Sequence, residues 1–445
     1  MNPSIAANQQ RLFLEFVAQL RPHVRRDSSL PRRIKELMAR HRAIGSRDRR
    51  LYRELVYTWL RFLPWIDPLL DTDAPLAAKI TAWLAPELKP TSAYRAAHAG
   101  DWPATPDTLK GKAEFLRSQG SGLRFPPEAL LPDWFKEHCP AAFESPHLDA
   151  INSRANVWVR IQSNDRNLVI DEFKARDWVF ESPAGFPDAL RLPPNAEVAA
   201  SDAYRRGFVE IQDLGSQLVL AHAPAPLVGR WLDACAGAGG KTLQLARMLD
   251  GNGHVDATDI RPEILEELRD RAHRARLDNI TIVRDPTHSR SIIARSPEDD
   301  AAIARDRRVT TAAPSDEESV PLARGLYDGI LVDAPCSGSG TWRRQPHLKW
   351  YVKPATIAAF TKTQLEILNL NAPRVKAGGL LIYATCSMSH HENQNVVAAF
   401  LKAHPEFHAG KPAQNHGGDF DGLGTTLLPG TLDTDGFYVA VLRRE

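Results

Sequence analysis

Two cysteines stand where a chain can use them. Leu331-Val332-Asp333-Ala334-Pro335-Cys336 is an apolar run that turns into an acid, a rigid Pro-Cys step and then the small, pliant Ser337-Gly338-Ser339-Gly340. Fifty residues after Cys336, the run Leu380-Leu381-Ile382-Tyr383-Ala384-Thr385 ends in Cys386 and Ser387. Both runs read as buried strands that hand a thiol to the loop at their end. A cysteine kept only for packing sits more naturally inside a strand. A thiolate is a good nucleophile toward an electron-poor ring carbon. Asp333, three residues before Cys336 and at the same sheet edge, can bond a ring nitrogen or amine as the thiolate adds. One such cysteine alone would read as structural. Two at neighbouring strand ends, beside an acid and a ligand loop, read as one active site.

The ligand loop follows an earlier strand. Arg230-Trp231-Leu232-Asp233-Ala234 leads into Cys235-Ala236-Gly237-Ala238-Gly239-Gly240-Lys241-Thr242, and a helix is predicted over 243–249. A strand, a run of small residues and a helix N-terminus form a nucleotide-type turn, because glycines let a ligand approach the backbone. A dinucleotide fingerprint starting at Gly237 would need glycine at Thr242, and a phosphate loop ending in Gly240-Lys241-Thr242 would need glycine at Cys235. Asp259, at the end of the next strand (253–258), is placed to accept hydrogen bonds from ribose hydroxyls. A ligand with ribose and no phosphate, S-adenosylmethionine, suits this combination. The alternative is a plain glycine packing turn.

These loops need a sheet to hold them. From 206 onward, strands at 230–234, 253–258, 280–284, 327–332, 380–384 and 436–442 alternate with helices, which predicts a parallel, doubly wound α/β sheet. Residues 289–325 interrupt that rhythm with polar, turn-rich sequence and read as a mobile surface insertion. Residues 146–205 read as a small α/β module. Residues 1–145 read as an all-helical domain: Leu51, Leu55, Val56, Trp59 and Leu60 form one of its apolar stripes, so its aromatics are expected in the core.

Two or three domains suit a chain of 445 residues, and 43% hydrophobic with 25% charged residues suits an ordinary globular protein. No apolar run approaches the roughly 20 residues of a membrane span, and residues 1–10 hold no apolar leader. The four cysteines, Cys139, Cys235, Cys336 and Cys386, form no C-x-x-C pair. A zinc site or disulfide framework is therefore not expected, and free thiols suit a reducing cytoplasm. The net charge of +2 is unevenly spread, for residues 11–61 carry 14 Lys/Arg against 5 Asp/Glu. Such a module points to a polyanion such as nucleic acid, or to a solvated helix face.

Taken together, the motifs resemble the Sun/RsmB-like family of RNA cytosine-5 methyltransferases over 146–445. Asp233 to Thr242 resembles the family's first motif, Asp259 its second, Asp285 its third, 333–340 its fourth and Thr385-Cys386-Ser387 its sixth. Gln212-Asp213-Leu214-Gly215-Ser216-Gln217 and Asp435-Gly436-Phe437-Tyr438-Val439-Ala440 also match family elements. The resemblance implies a class I, Rossmann-like methyltransferase domain. It implies that Cys386 adds to carbon 6 of the target cytosine, that Cys336 helps release the product and that Asp333 holds the base edge near the cofactor. Cys235, Ala236, Gly237, Ala238, Gly239, Gly240, Lys241, Asp259, Asp285 and Asp333 would bind S-adenosylmethionine. The partner implied is RNA, most simply ribosomal RNA of the 16S type, with an unpaired or flipped-out target base. Neither a metal nor a membrane is implied, and a cytoplasmic monomer is expected.

The chain departs from the family pattern at several points. Ala238 stands where the loop usually carries proline, and the insertion after Asp285 is long. Trp158-Val159-Arg160-Ile161-Gln162 follows the family's arginine-valine-asparagine element only loosely, with Arg160 as its RNA-binding candidate. Arg47-Asp48-Arg49-Arg50-Leu51 and Glu54-Leu55-Val56-Tyr57 give the N-terminal domain a NusB-like character. Lys349 and Arg343-Arg344 are candidates for phosphate contacts or for a solvated loop. The rival readings are a transfer RNA methyltransferase, a DNA cytosine methyltransferase and a non-catalytic RNA-binding assembly factor.

Overall fold

The computed structural model describes residues 2–41, 44–120, 124–284, 320–321, 326–414 and 416–445. The expected insertion at 289–325 therefore lies outside the described residues, apart from a two-residue strand at Val320–Pro321. The chain divides into two compact units. One is Met1–Arg154 with Thr341–Val352, and the other is Ala155–Gly340 with Lys353–Glu445.

Among its described residues the first unit is built from helices, with no strand. Pro3–Leu20 starts with proline in its first turn, where no amide is needed, and Asn2 accepts the amide of Ser4 as its cap. In Ser46–Arg61, Leu51, Leu55 and Trp59 recur every fourth residue, as do Tyr52, Val56 and Leu60, and all six are buried. Trp65 and Trp83 join them, so the aromatics of this unit lie largely inside.

The segment Thr341–Val352 belongs to this helical unit although it follows the Pro335-Cys336 loop in sequence. Lys349 is fully buried, and its ammonium donates to the carbonyls of Arg61 at 2.9 Å and Leu130 at 3.1 Å and to Asn152 Oδ1 at 2.7 Å. Burial pushes its pKa well below the usual lysine range. Trp350 Nε1 donates to the Leu60 carbonyl, Arg61 donates to that of Arg343, and Trp342 packs on Phe135. Lys349 is therefore a structural clip and not the expected phosphate contact. Arg343 is likewise buried and donates to Ser153.

The second unit holds two sheets. The smaller is antiparallel in the order β2–β1–β3, from β1 (Val157–Ile161), β2 (Ala189–Leu192) and β3 (Val209–Ile211). Its third strand lies past residue 205, so the expected boundary there is corrected: β3 is needed to pair with β1. Nor is the module a separate compact unit. One face of its sheet packs on Arg166–Ala175 through Val159, Leu190 and Phe173, while Trp158 and Ala189 enter the same core as Trp231 of the larger sheet.

Among the described residues the larger sheet has ten strands. Its parallel part runs β9–β8–β4–β5–β6–β7, from β4 (Gly229–Asp233), β5 (Gly253–Ala257), β6 (Ile280–Arg284), β7 (Val320–Pro321), β8 (Tyr327–Asp333) and β9 (Val375–Thr385). Antiparallel strands extend the expected parallel sheet: β13 (Phe437–Arg444) pairs with β9, with β10 (Phe407–Ala409) and with β12 (Thr425–Leu427), and β11 (Asp419–Phe420) closes that edge. Helix Gln394–Ala403 leads from β9 to β10, β11 and β12 pair directly, and the short helix Pro429–Leu432 returns the chain to β13. The parallel strands are apolar on both faces. Trp231 and Leu331 enter one core and Leu232, Ile330 and Val332 the other, which explains why these runs do not alternate in sequence. The order turns around between β4 and β8, where α/β sheets open a ligand crevice beyond their strand ends. Among the described residues no helix is long and apolar enough to cross a membrane.

Replacing Lys349 by alanine removes one donor from three buried acceptors and opens a cavity. Lys349→Ala is expected to cost the helical unit about 3 kcal/mol, read as a lower melting temperature by circular dichroism. An unchanged melting temperature would show that the buried ammonium does not hold the segment.

Candidate active site

β4 ends in Asp233, whose buried carboxylate accepts the Thr242 hydroxyl at 2.7 Å and the Cys235 amide at 3.3 Å. Burial pushes its pKa up to about 7, with the Thr242 bond acting against the rise. The acid thus pins the start of the loop to the first turn of Gly240–Leu249. Gly239 is that helix's N-cap at φ 88°, a left-handed conformation, and a Cβ there would press on Leu268. Two arginines brace the loop from behind. Arg271 donates to the Ala238 carbonyl at 2.6 Å and pairs with buried Glu210 of β3. Arg160 of β1 donates to Gln212 at 2.7 Å and to the Gly240 carbonyl at 3.4 Å. It is fully buried, and burial lowers its pKa to about 10. Arg160 is therefore a buttress of the loop and not an exposed RNA contact.

The loop forms one wall of a cavity of about 510 Å³. Of the expected cofactor residues, Cys235, Ala236, Gly237, Ala238, Gly240, Lys241, Asp259 and Asp333 line it, whereas Gly239 turns toward Leu268. Asp285 lies outside the described residues. Cys336 lines the opposite side. Cys235 sits among Asp233, Asp259 and Asp333, and burial first and these acids second push its thiol far up, so it stays protonated.

Asp259 is fully engaged. Oδ1 accepts the Arg261 amide and Nε at 3.0 and 2.9 Å, and Oδ2 accepts the Gly237 amide and Arg261 Nη2 at 2.9 and 3.0 Å. Burial raises its pKa, but the Arg261 bonds outweigh this and leave it below the usual carboxylate range. A ribose would have to displace the Arg261 side chain, which is half exposed and gives up little on moving.

The link between the two walls was not legible in the sequence. Lys241 is buried and donates to Asp333 Oδ2 at 2.8 Å, with its ammonium 5.1 Å above the Phe437 ring. These residues are 92 positions apart, and nothing in either motif signals the pair.

β8 and β9 run parallel with Asp333 opposite Ala384, and the Ala334 amide bonds the Ala384 carbonyl at 2.8 Å. Past this register the thiols meet: Cys336 Sγ and Cys386 Sγ are 3.4 Å apart. The hydrogen bond to Cys386, together with burial, pushes the Cys336 thiol well above its usual range. The loop is closed by backbone. The Gly340 amide donates to the Cys386 carbonyl and the Gly436 amide to that of Gly340, both at 2.9 Å. A Cβ at Gly340 would overlap the Gly436 and Cys386 carbonyls, so only glycine fits. Glu392, which precedes helix Gln394–Ala403, is buried beneath both thiol loops. The geometry thus brings a ligand cavity, an ion-paired acid and two touching thiols to one sheet edge. That arrangement can place an electrophile, hold a ring edge and supply a sulfur nucleophile beside a second thiol.

Comparison with known proteins agrees with this architecture. The family model described as 16S rRNA methyltransferase RsmB/F matches residues 224–443. A ribosomal RNA small subunit methyltransferase B from Enterobacter is 30% identical over 71% of this chain, and the match spans 67% of that protein's length. One from Vibrio vulnificus is 27% identical over 91% of this chain and 93% of its own. Among solved structures, the fold is similar to that of PH0851, with a TM-score of 0.66 and 20% identity over 98% of each chain. It is also similar to that of NSun6 from Pyrococcus horikoshii with SFG, with a TM-score of 0.57 and 16% identity over 72% of this chain and 98% of that one. The Enterobacter relative, with the matched span of the family model, establishes that the chain belongs to the RsmB/F family of ribosomal RNA methyltransferases.

Proposed function

We propose that this protein methylates carbon 5 of a cytosine in 16S-type ribosomal RNA, using S-adenosylmethionine and a covalent cysteine adduct. The observation that carries the reading is the pair of thiols 3.4 Å apart beside Asp333 at the rim of the 510 Å³ cavity. Its lining suits the cofactor. Gly237, Ala238 and Gly240 leave the wall free of bulk, and Asp259 offers a carboxylate once Arg261 moves aside. When bound there, S-adenosylmethionine supplies an electrophilic methyl group.

The residues divide the remaining work. Lys241 keeps one oxygen of Asp333 occupied and its charge balanced, which leaves the other oxygen to bond the base edge. The Cys386 thiolate adds to carbon 6 and makes carbon 5 electron-rich. After methyl transfer a water takes the carbon 5 proton, and the C–H electron pair expels the Cys386 sulfur as a thiolate and restores the aromatic ring. Cys336, held neutral in contact with Cys386, donates its S–H to that departing sulfur. A base inside a stacked helix cannot present carbon 6 to a thiol, so the target is unpaired or flipped out. The exposed Arg25 and Arg26 line a small pocket of the helical unit and offer charge for the RNA backbone, in keeping with a NusB-like RNA-binding role for that unit.

Cys386→Ala is expected to abolish incorporation of labelled methyl groups into RNA, and Cys336→Ala to leave RNA covalently attached on denaturing gels. An active Cys386→Ala protein with an inactive, adduct-free Cys336→Ala protein would reverse the two roles. Lys241→Met is expected to lower kcat about a hundredfold by leaving Asp333 unbalanced. Unchanged turnover would remove Lys241 from the site. Bisulfite sequencing of cellular RNA with and without the protein tests the substrate: the lost site is expected in 16S ribosomal RNA, and a site lost from transfer RNA instead would overturn that assignment.

A further inference from the structure

Beneath the two thiols lies a carboxylate that neither cysteine motif contains. Glu392 is wholly inaccessible to solvent. Its Oε1 accepts the Ser337 amide at 2.7 Å and Gln364 Nε2 at 3.2 Å. Its Oε2 accepts the Ser337 hydroxyl at 2.5 Å and the Ser387 hydroxyl at 2.6 Å. Ser337 follows Cys336 and Ser387 follows Cys386, so one carboxylate spans both thiol loops. Its surroundings fix it in turn. Tyr383 on β9 donates to the Glu392 carbonyl at 2.6 Å, and Gln364 also donates to the Pro335 carbonyl at 2.9 Å.

We infer that Glu392 is a positioning residue that ties the two thiol loops into one frame, so that addition through Cys386 and release through Cys336 occur at a fixed sulfur spacing. This rests on the two-thiol reading above. Burying a carboxylate is costly, and apolar packing would fill the same space more cheaply. What apolar packing lacks is direction: four donors from three residues fix the carboxylate, and through it the two serines. Burial pushes the Glu392 carboxyl up, while the serine bonds hold it back. Glu392 reaches each thiol loop through the serine that follows the cysteine, and it is closed off from solvent.

The test uses the full-length protein with Glu392→Gln, Ser337→Ala and Ser387→Ala, and S-adenosylmethionine binding and thermal melting report the fold. Glu392→Gln keeps the size and one acceptor but loses the double grip. It is expected to lower kcat at least about tenfold with KM for RNA nearly unchanged, since small misplacement of reacting groups acts on turnover. Ser387→Ala is expected to slow adduct formation, and Ser337→Ala to let adduct accumulate. Combining the two serine changes is expected to be no worse than Glu392→Gln. Wild-type turnover in Glu392→Gln, or a fall in kcat matched by weaker cofactor binding and a raised KM, would overturn the inference. If Glu392→Gln fails to fold, the serine variants decide: opposite effects on adduct support the frame, and equal or absent effects refute it. Oxidative cross-linking of Cys336 to Cys386 by diamide needs no RNA. Diamide takes up the two thiol hydrogens as the S–S bond forms, and the rate is expected to fall about tenfold in Glu392→Gln because the sulfurs must close from contact to bonding distance. An unchanged cross-linking rate would sink the frame. Loss of activity from wild-type protein, or full activity in Cys386→Ala, would instead refute the two-thiol chemistry, and the cross-linking rate would still judge Glu392.

Discussion

Parallel pairing of β8 with β9 sets Asp333 opposite Ala384, and from that register the two thiols fall into contact. A parallel pair cannot be joined by a tight turn. The long helix Pro354–Asn371 therefore lies between them in sequence, and Gln364 on that helix reaches back to the Pro335 carbonyl. The Gly340, Gly436 and Cys386 backbones then lock the strand ends at a distance that no side chain at Gly340 would permit. On the other side of β8, β4 delivers the glycine loop, and the Lys241–Asp333 ion pair joins loop to strand end. The cavity, the acid and the thiols thus share an edge because three neighbouring parallel strands end together.

The sequence was informative where side-chain type and local pattern coincide. The strand runs before Asp233, Asp333 and Cys386 are continuous apolar stretches because both sheet faces are covered. The helical stripe of Leu51, Leu55 and Trp59 was equally plain, since a period of nearly four residues needs no partner to be recognised. Contacts set by topology were silent. Lys241 meets Asp333 across the strand pair, and Glu392 reaches two serines whose positions depend on how β8 and β9 are aligned. Charge misled where burial reversed its meaning. Arg160 and Lys349 are cations that looked suited to phosphate, yet both are spent on backbone carbonyls and neutral amide oxygens inside the protein. The antiparallel edge was also hidden, because β10, β11 and β12 are only two or three residues long and carry little periodicity.

The small sheet gains a purpose from these contacts. Its buried Arg160 reaches the glycine loop, and its acid Glu210 holds Arg271 against the Ala238 carbonyl. Ala238 adds no ring constraint of its own at that turn, so stiffness that the loop does not carry in its own backbone is supplied by side chains from outside it.

The path of the chain through Thr341–Val352 has a further consequence for how such a protein can be divided. Twelve residues from the middle of the sequence are structural members of the helical unit, with Trp342, Lys349 and Trp350 among its contacts. A single break near Arg154 would leave that segment behind on the α/β half, with two tryptophans and a desolvated ammonium stripped of their surroundings. The helical unit is therefore interleaved with the rest and not appended to it. Its inheritance, loss or exchange requires two coordinated changes in the gene, one of them immediately after the loop that carries Cys336.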